Sequence, residues 1–88
     1  MTNEYTVTLD AGKKKYSNKK PLHSMDEAVE WAEDVISECC KYVSLSITRN
    51  PGNVEIVVLL DSGNACTFGI GNDDPDKPAA EEFASIAL

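Results

Sequence analysis

The chain has 88 residues, of which 42% are hydrophobic, so it can build one small core, and we predict a single domain over residues 1–88. Its 15 acidic and 8 basic residues give a formal net charge of -7 at pH 7. This balance argues against binding to nucleic-acid phosphates or anionic membranes, because both need an excess of Lys and Arg. No apolar run approaches the roughly 20 residues that span a bilayer.

Residues 5–9 alternate apolar and hydroxyl side chains, and this period of two predicts a strand. Residues 13–20 hold five lysines and only one apolar side chain, Tyr16, so we predict a loop or a frayed edge there. We call residues 11–21 the basic loop. Residues 1–20 carry five lysines and two acids, a local +3, whereas residues 21–88 carry three basic and thirteen acidic groups, a local -10.

Residues 25–42 follow a helical period, with apolar side chains on one face and charged side chains on the other. Ser24 and Glu27 stand three residues apart at the start of this helix, as in a capping box. The charged face, which we call the acidic face, carries six carboxylates with only Lys41 in opposition: Asp26, Glu27, Glu30, Glu33, Asp34 and Glu38. Either this face only keeps the protein in solution, or it is complementary to a basic partner.

Residues 43–48 return to a period of two, which predicts a half-buried strand, and Asn-Pro-Gly-Asn at 50–53 predicts a turn. Residues 54–60 are apolar on nearly both faces and are predicted as the central strand. After a turn at 61–64, residues 65–70 predict a third strand of an antiparallel meander.

Residues 71–77 form a polar, acidic loop, and residues 78–88 predict a short closing helix with Pro78 in its first turn. The predicted class is therefore α+β with two layers and the order β-α-β-β-β-α. An antiparallel meander of three to four strands is expected under one amphipathic helix.

Residue types used in catalysis and metal binding are present, but their spacing does not suit either role. His23 is the only histidine, and it precedes a helix N-terminus, where a protonated imidazole beside a thiolate is disfavoured. The cysteines at 39, 40 and 66 lack the spacing of a zinc site, and the loop 71–77 lacks the final carboxylate of a calcium loop. We predict no enzymatic activity, no metal and no cofactor. An odd number of cysteines favours reduced thiols and a cytoplasmic location.

The β-α-β-β-β order, the acidic helix and the run Phe-Gly-Ile-Gly-Asn-Asp at 68–73 resemble the immunity proteins of bacterial polymorphic toxin systems. In some of these, a similar apolar strand ends in Gly-x-Gly and an acidic turn. The likeness covers roughly residues 24–74, and Asp-Pro-Asp-Lys-Pro at 74–78 departs from it. Small acidic phage-encoded inhibitors, including anti-CRISPR proteins, share the size and charge. The resemblance implies a stoichiometric protein inhibitor without chemistry of its own.

We therefore expect a small acidic inhibitor that binds a basic, nucleic-acid-handling protein, with no direct contact to nucleic acid or membrane. The partner-binding residues are predicted to be the acidic face and the acids of the loop 71–77: Asp26, Glu27, Glu30, Glu33, Asp34, Glu38, Asp73, Asp74 and Asp76. The alternative is a non-catalytic homo-oligomeric module, a homodimer for example, that pairs through strand edges or through a helix flank formed by Trp31, Val35 and Tyr42.

Overall fold

The computed structural model describes residues 3–38, 42–60 and 70–87. The elements follow one another along the chain as β1 (Glu4–Asp10), β2 (Lys15–Ser17), α1 (Met25–Glu38), β3 (Ser44–Asn50), β4 (Val54–Leu60) and α2 (Lys77–Ala87). The predicted α+β class is confirmed. The order of the described elements is β-β-α-β-β-α, because a strand that we did not predict precedes α1.

The four strands form one antiparallel sheet in the order β2-β1-β3-β4. β4 lies at one edge of the described strands, and residues 65–69 of the predicted third strand, expected to pair with its other side, lie outside the described residues, so its predicted central place stays a prediction. Part of its apolar run has a local cause. A register shift opposite Ile47 and Thr48 lets the consecutive residues Ile56 and Val57 both be buried, while Leu60 is 37% exposed.

The unpredicted strand β2 lies within the basic loop and is only three residues long, too short to show a period of two. It pairs Tyr16 with Leu9 at the edge of the sheet. Beyond it, the side chain of Asn18 takes the place of a strand partner for β1. Asn18 accepts the Val7 N–H at 2.8 Å and donates to the Tyr5 carbonyl at 3.2 Å. The Tyr5 N–H in turn donates to the carbonyl of Leu22 at 2.7 Å, so residues 18–22 are held against β1.

One face of the sheet and both helices enclose a single core. α1 packs on β1, α2 packs on β4, and the two helices touch each other. The predicted cover of one helix is therefore wrong: four strands spaced about 4.8 Å apart span roughly 14 Å, wider than one helix of about 10 Å. The fully buried side chains with the largest volumes are Phe83, Leu9, Leu45, Ile47, Ile56, Leu59, Val7 and Val57.

The predicted ends of some elements differ from the observed ones. Tyr42 is not helical, so α1 ends before it, and residues 39–41 with two of the cysteines lie outside the described residues. Val43 precedes β3 and is 54% exposed, although its period of two with Leu45 predicted an inward side chain. The turn at 50–53 is confirmed, with positive φ at Gly52 and Asn53.

Candidate interaction surface

α1 begins at the predicted cap. The Ser24 hydroxyl accepts the Glu27 N–H at 3.2 Å, and the Glu27 carboxylate accepts the backbone N–H of His23 at 2.8 Å. This reciprocal pair satisfies two N–H groups that the helix cannot bond itself. Asp26 lies in the same first turn, where the positive end of the helix dipole favours a carboxylate. Glu27 thus has a structural role in addition to its place on the acidic face.

The six predicted carboxylates of the acidic face are all exposed. Glu27 apart, none of them makes a hydrogen bond or an ion pair within residues 3–38, 42–60 and 70–87. Glu30 and Asp34, and Asp34 and Glu38, stand four residues apart and repel each other by a few tenths of a kcal/mol per pair. The last turn of α1 holds no basic residue. The face is therefore negative along its whole length without internal compensation.

A groove of about 190 Å³ lies between the acidic face and α2. Asp26, Glu30 and Glu33 recur at helical spacing along its α1 side, and Glu82 faces them from α2. Val29, Ala79 and Phe83 form the apolar part of the lining. Glu82 was not predicted to be part of this surface. The sequence places Glu82 on α2, next to the buried Phe83. That it faces α1 depends on how the two helices pack.

Arg49 fixes the start of α2 to the sheet. It lies on β3 with its guanidinium on the side of the core, where Asp74 accepts hydrogen bonds at 2.8 and 2.7 Å and Asp76 accepts one at 2.7 Å. The Tyr5 hydroxyl donates to the same Asp76 carboxylate at 2.6 Å. The side chains of Arg49 and of both aspartates are only 14–16% exposed. We call these four residues the Arg49 cluster.

The Arg49 cluster perturbs the ionisation of its members. Hydrogen bonds from Arg49 hold the pKa of Asp74 at about 2, below its ordinary 3.8. Burial, followed by the hydrogen bond to Asp76, raises the pKa of Tyr5 to about 12. Hydrogen bonds to Asp74 and Asp76 raise the pKa of Arg49 above its ordinary value. The cluster therefore stays ionised at Arg49 and Asp74, and neutral at Tyr5, across the physiological range.

The cluster changes how the acidic loop can contribute to binding. Asp74 and Asp76 were predicted to contact a partner, but their carboxylates are engaged within the chain. Asp73 is exposed and remains free for that role. The Asp76 carbonyl also accepts the Ala80 N–H at 3.0 Å, so the loop leads directly into the first turn of α2. The main role of the loop 71–77 is therefore to hold the start of α2 against the sheet, and only Asp73 of its three predicted aspartates is free to contact a partner.

Beside the acidic face, outside the groove, the half-buried Trp31 lies next to Leu22, the residue that follows the basic loop. A depression of about 230 Å³ adjoins these two residues on the acidic side, where it is lined by Glu27, Glu30 and Asp34. A second depression of about 450 Å³ adjoins them on the basic side, with Ser17, Lys19 and Lys20 in its lining. We call Leu22 and Trp31 the apolar strip. It separates three carboxylates from two ammonium groups.

Two further observations concern the described residues only. No group of three or more His, Cys, Asp or Glu side chains in that part of the chain is arranged to hold a metal ion. Neither α1 nor α2 is long and apolar enough to cross a membrane. Two of the sequence-level candidates cannot be placed: the three cysteines and the first two residues of the Phe-Gly-Ile-Gly-Asn-Asp run lie outside the described residues.

Comparison with known proteins gives no family for this chain: it matches no protein-family model, no curated protein and no solved structure. The resemblance to toxin immunity proteins therefore remains a prediction from the sequence.

Proposed function

We propose that this protein is a small acidic inhibitor that binds a basic, nucleic-acid-handling protein through the acidic face of α1. The observation that carries the proposal is the groove between α1 and α2, where Asp26, Glu30, Glu33 and Glu82 surround an apolar lining. A face that only kept the protein in solution would need neither a concave shape nor apolar contact. Lys and Arg side chains of a partner combine an apolar stem with a charged end, and they match both parts of this groove.

The charge of the protein supports the same function. A net charge of -7 attracts a basic protein at long range, and the unpaired carboxylates fix its orientation at contact. In this proposal, the acidic face and Asp73 bind the target, Asp74 and Asp76 hold α2 in place, and the protein performs no chemistry. Toxin immunity proteins and phage anti-defence proteins of the anti-CRISPR type have this size and charge. A cytoplasmic location is part of this proposal, because an odd number of cysteines favours reduced thiols.

Affinity capture tests the proposal. The tagged protein is incubated at low salt with lysate from the organism that carries the gene, and retained proteins are identified by mass spectrometry. We expect a basic nucleic-acid-binding protein to be retained, and we expect addition of the purified chain to inhibit that protein's activity. Replacement of Glu30→Gln and Glu33→Gln together should weaken binding at least tenfold, since two charged contacts at about 1 kcal/mol each are lost.

The matched control is the double variant Glu4→Gln and Glu55→Gln, which loses the same charge from exposed positions on β1 and β4. This control should bind like the unmodified protein. Equal weakening by both double variants would mean that net charge alone drives the association. Retention of no basic protein, or binding that is indifferent to Glu30 and Glu33, would contradict the proposed site.

A further inference from the structure

We propose that the apolar strip of Leu22 and Trp31 is the centre of a homodimer interface, in which Lys19 and Lys20 of each copy face Glu30 and Asp34 of the other. This inference does not rest on the proposed inhibitor function, although the two surfaces adjoin: Glu30 lines both the groove and the depression beside the strip. The partner is a second copy of the same chain, because acidic and basic side chains lie on either side of the strip.

The strip has the composition of an interface centre. Trp31 and Leu22 are each only half-buried within one chain, and both line the two depressions on either side of them. A large aromatic side chain at the middle of a polar rim is the commonest type of binding hot spot. A second chain seated on the strip would bury the remaining exposed part of both side chains.

The rim is self-complementary. Glu27, Glu30 and Asp34 lie on one side of the strip, and Lys19 and Lys20 lie on the other. A two-fold axis that runs along the strip, in the plane of contact, exchanges the two sides. It therefore places the lysines of each copy over the carboxylates of the other, and it does so twice. A partner with a uniformly basic surface would meet the carboxylates favourably but would be repelled by the lysines.

Both sets of charges are available for such contacts. Neither the lysines nor Glu30 and Asp34 form an ion pair inside the described part of the chain, where the paired groups are Arg49 with Asp74 and Asp76, and Lys77 with Glu81. The backbone that carries the lysines is also held in place. Asn18 donates to the Lys20 carbonyl at 2.9 Å, and the Leu22 carbonyl accepts from Tyr5. The lysines are thus presented beside Trp31 from an anchored segment.

The net charge of -7 on each copy opposes association at long range. At about 0.15 M salt the Debye length is about 8 Å, so this repulsion is largely screened while contacts at the strip are retained. The experiment is therefore done at this ionic strength. Trp31 is the only tryptophan of the chain, so its fluorescence reports on the strip directly. Sedimentation velocity on the same samples measures the oligomeric state.

We expect a monomer–dimer equilibrium, with Trp31 emission shifting to longer wavelength on dilution as the strip becomes exposed. The double variant Lys19→Glu and Lys20→Glu should raise the dissociation constant of the dimer at least tenfold, because four contacts turn from attractive to repulsive. The double variant Glu30→Lys and Asp34→Lys should do the same. An equimolar mixture of the two double variants should restore the dimer, since all contacts between unlike copies are again attractive.

Matched controls separate local contacts from net charge. The control for the lysines is Lys13→Glu with Lys15→Glu, which makes the same charge change within the basic loop but away from the strip. The control for the acids is Glu4→Lys with Glu55→Lys. Both controls should leave the dissociation constant of the dimer within about twofold of that of the unmodified protein. Circular dichroism verifies that each variant is folded. The proposal is overturned if the protein sediments as a monomer with emission independent of concentration. It is also overturned if folded charge-reversal variants still dimerise, or if their mixture stays monomeric.

Discussion

Replacement of Arg49 by methionine should cost the protein about 2–3 kcal/mol of unfolding free energy. The change removes three hydrogen bonds of 2.7–2.8 Å to Asp74 and Asp76 and leaves both carboxylates next to a thioether. Exposed ion pairs contribute about 0–1 kcal/mol, whereas breaking a buried one costs about 3–5 kcal/mol. The side chains of Arg49, Asp74 and Asp76 are 14–16% exposed, so the expected cost is closer to that of breaking a buried ion pair.

The ionisation of Asp74 gives a similar magnitude for the same Arg49–Asp74 contact. Its pKa falls from an ordinary 3.8 to about 2, mainly because Arg49 donates to it. At about 1.4 kcal/mol for each tenfold change in proton affinity, this fall corresponds to about 2.5 kcal/mol. A domain of this size has a total stability of roughly 4–13 kcal/mol, so the variant loses a large share of it. The expected decrease in Tm is roughly 10–20 °C.

Urea unfolding followed by circular dichroism measures the loss, with Lys77→Met as the matched control. Lys77 pairs with Glu81 at 3.8 Å, and the Glu81 side chain is 55% exposed, so its removal should cost no more than about 0.5 kcal/mol. A double-mutant cycle that adds Asp74→Asn should show that the cost of Arg49→Met shrinks when the carboxylate is absent. A loss below about 1 kcal/mol, or one that Asp74→Asn does not alter, would refute this account of the cluster.

Two further predictions concern Tyr5 and Asp74 of the Arg49 cluster, and a third concerns the cap of α1. The pKa of Tyr5 is raised to about 12, so its contribution to the free energy of unfolding is complete below pH 10 and is lost as the pH rises from 10 to 12. A pH series of urea melts should show this decline, and Tyr5→Phe should abolish it. The pKa of Asp74 is lowered to about 2, so its contribution to the free energy of unfolding is present above about pH 4 and disappears as the pH falls towards 2. Acid titration of stability should show this loss, and the variant Asp74→Asn should not show it. Ser24→Ala should cost about 1 kcal/mol in thermal or urea melts, because the Glu27 N–H loses its acceptor, whereas Ser24→Asp should retain most of the stability. An unchanged midpoint for Ser24→Ala would show that the cap contributes nothing.

Local signals in the sequence predicted most of the individual elements. The period of two at 5–9 and the capping box at Ser24 and Glu27 match β1 and the start of α1. These features depend on neighbours within a few residues, and so the sequence displays them directly. The three-residue strand β2 is not apparent in the sequence, because it is too short for a periodicity of its own and its pairing is supplied by β1.

The candidate site divides in the same way. The acidic face could be read from helical spacing, because one helix alone decides which side chains share a side. Glu82 could not be assigned to the groove, since that depends on the angle between α1 and α2. The aspartates of the loop 71–77 are predicted from the sequence to be free surface charges. Arg49 lies 25 residues before Asp74, and no local pattern indicates that the two side chains pair.

The amino-acid order alone thus determined the helix, its cap, the alternating strands and the acidic excess, all of which follow from short-range chemistry and composition. The tertiary structure decided which strand lies inside, which helix covers β4, which carboxylates Arg49 neutralises and which lysines stand beside Trp31. The physical reason is that strand order and helix packing bring together residues far apart in the chain. Those contacts depend on how the whole core is buried, and a short segment of the sequence does not contain that information.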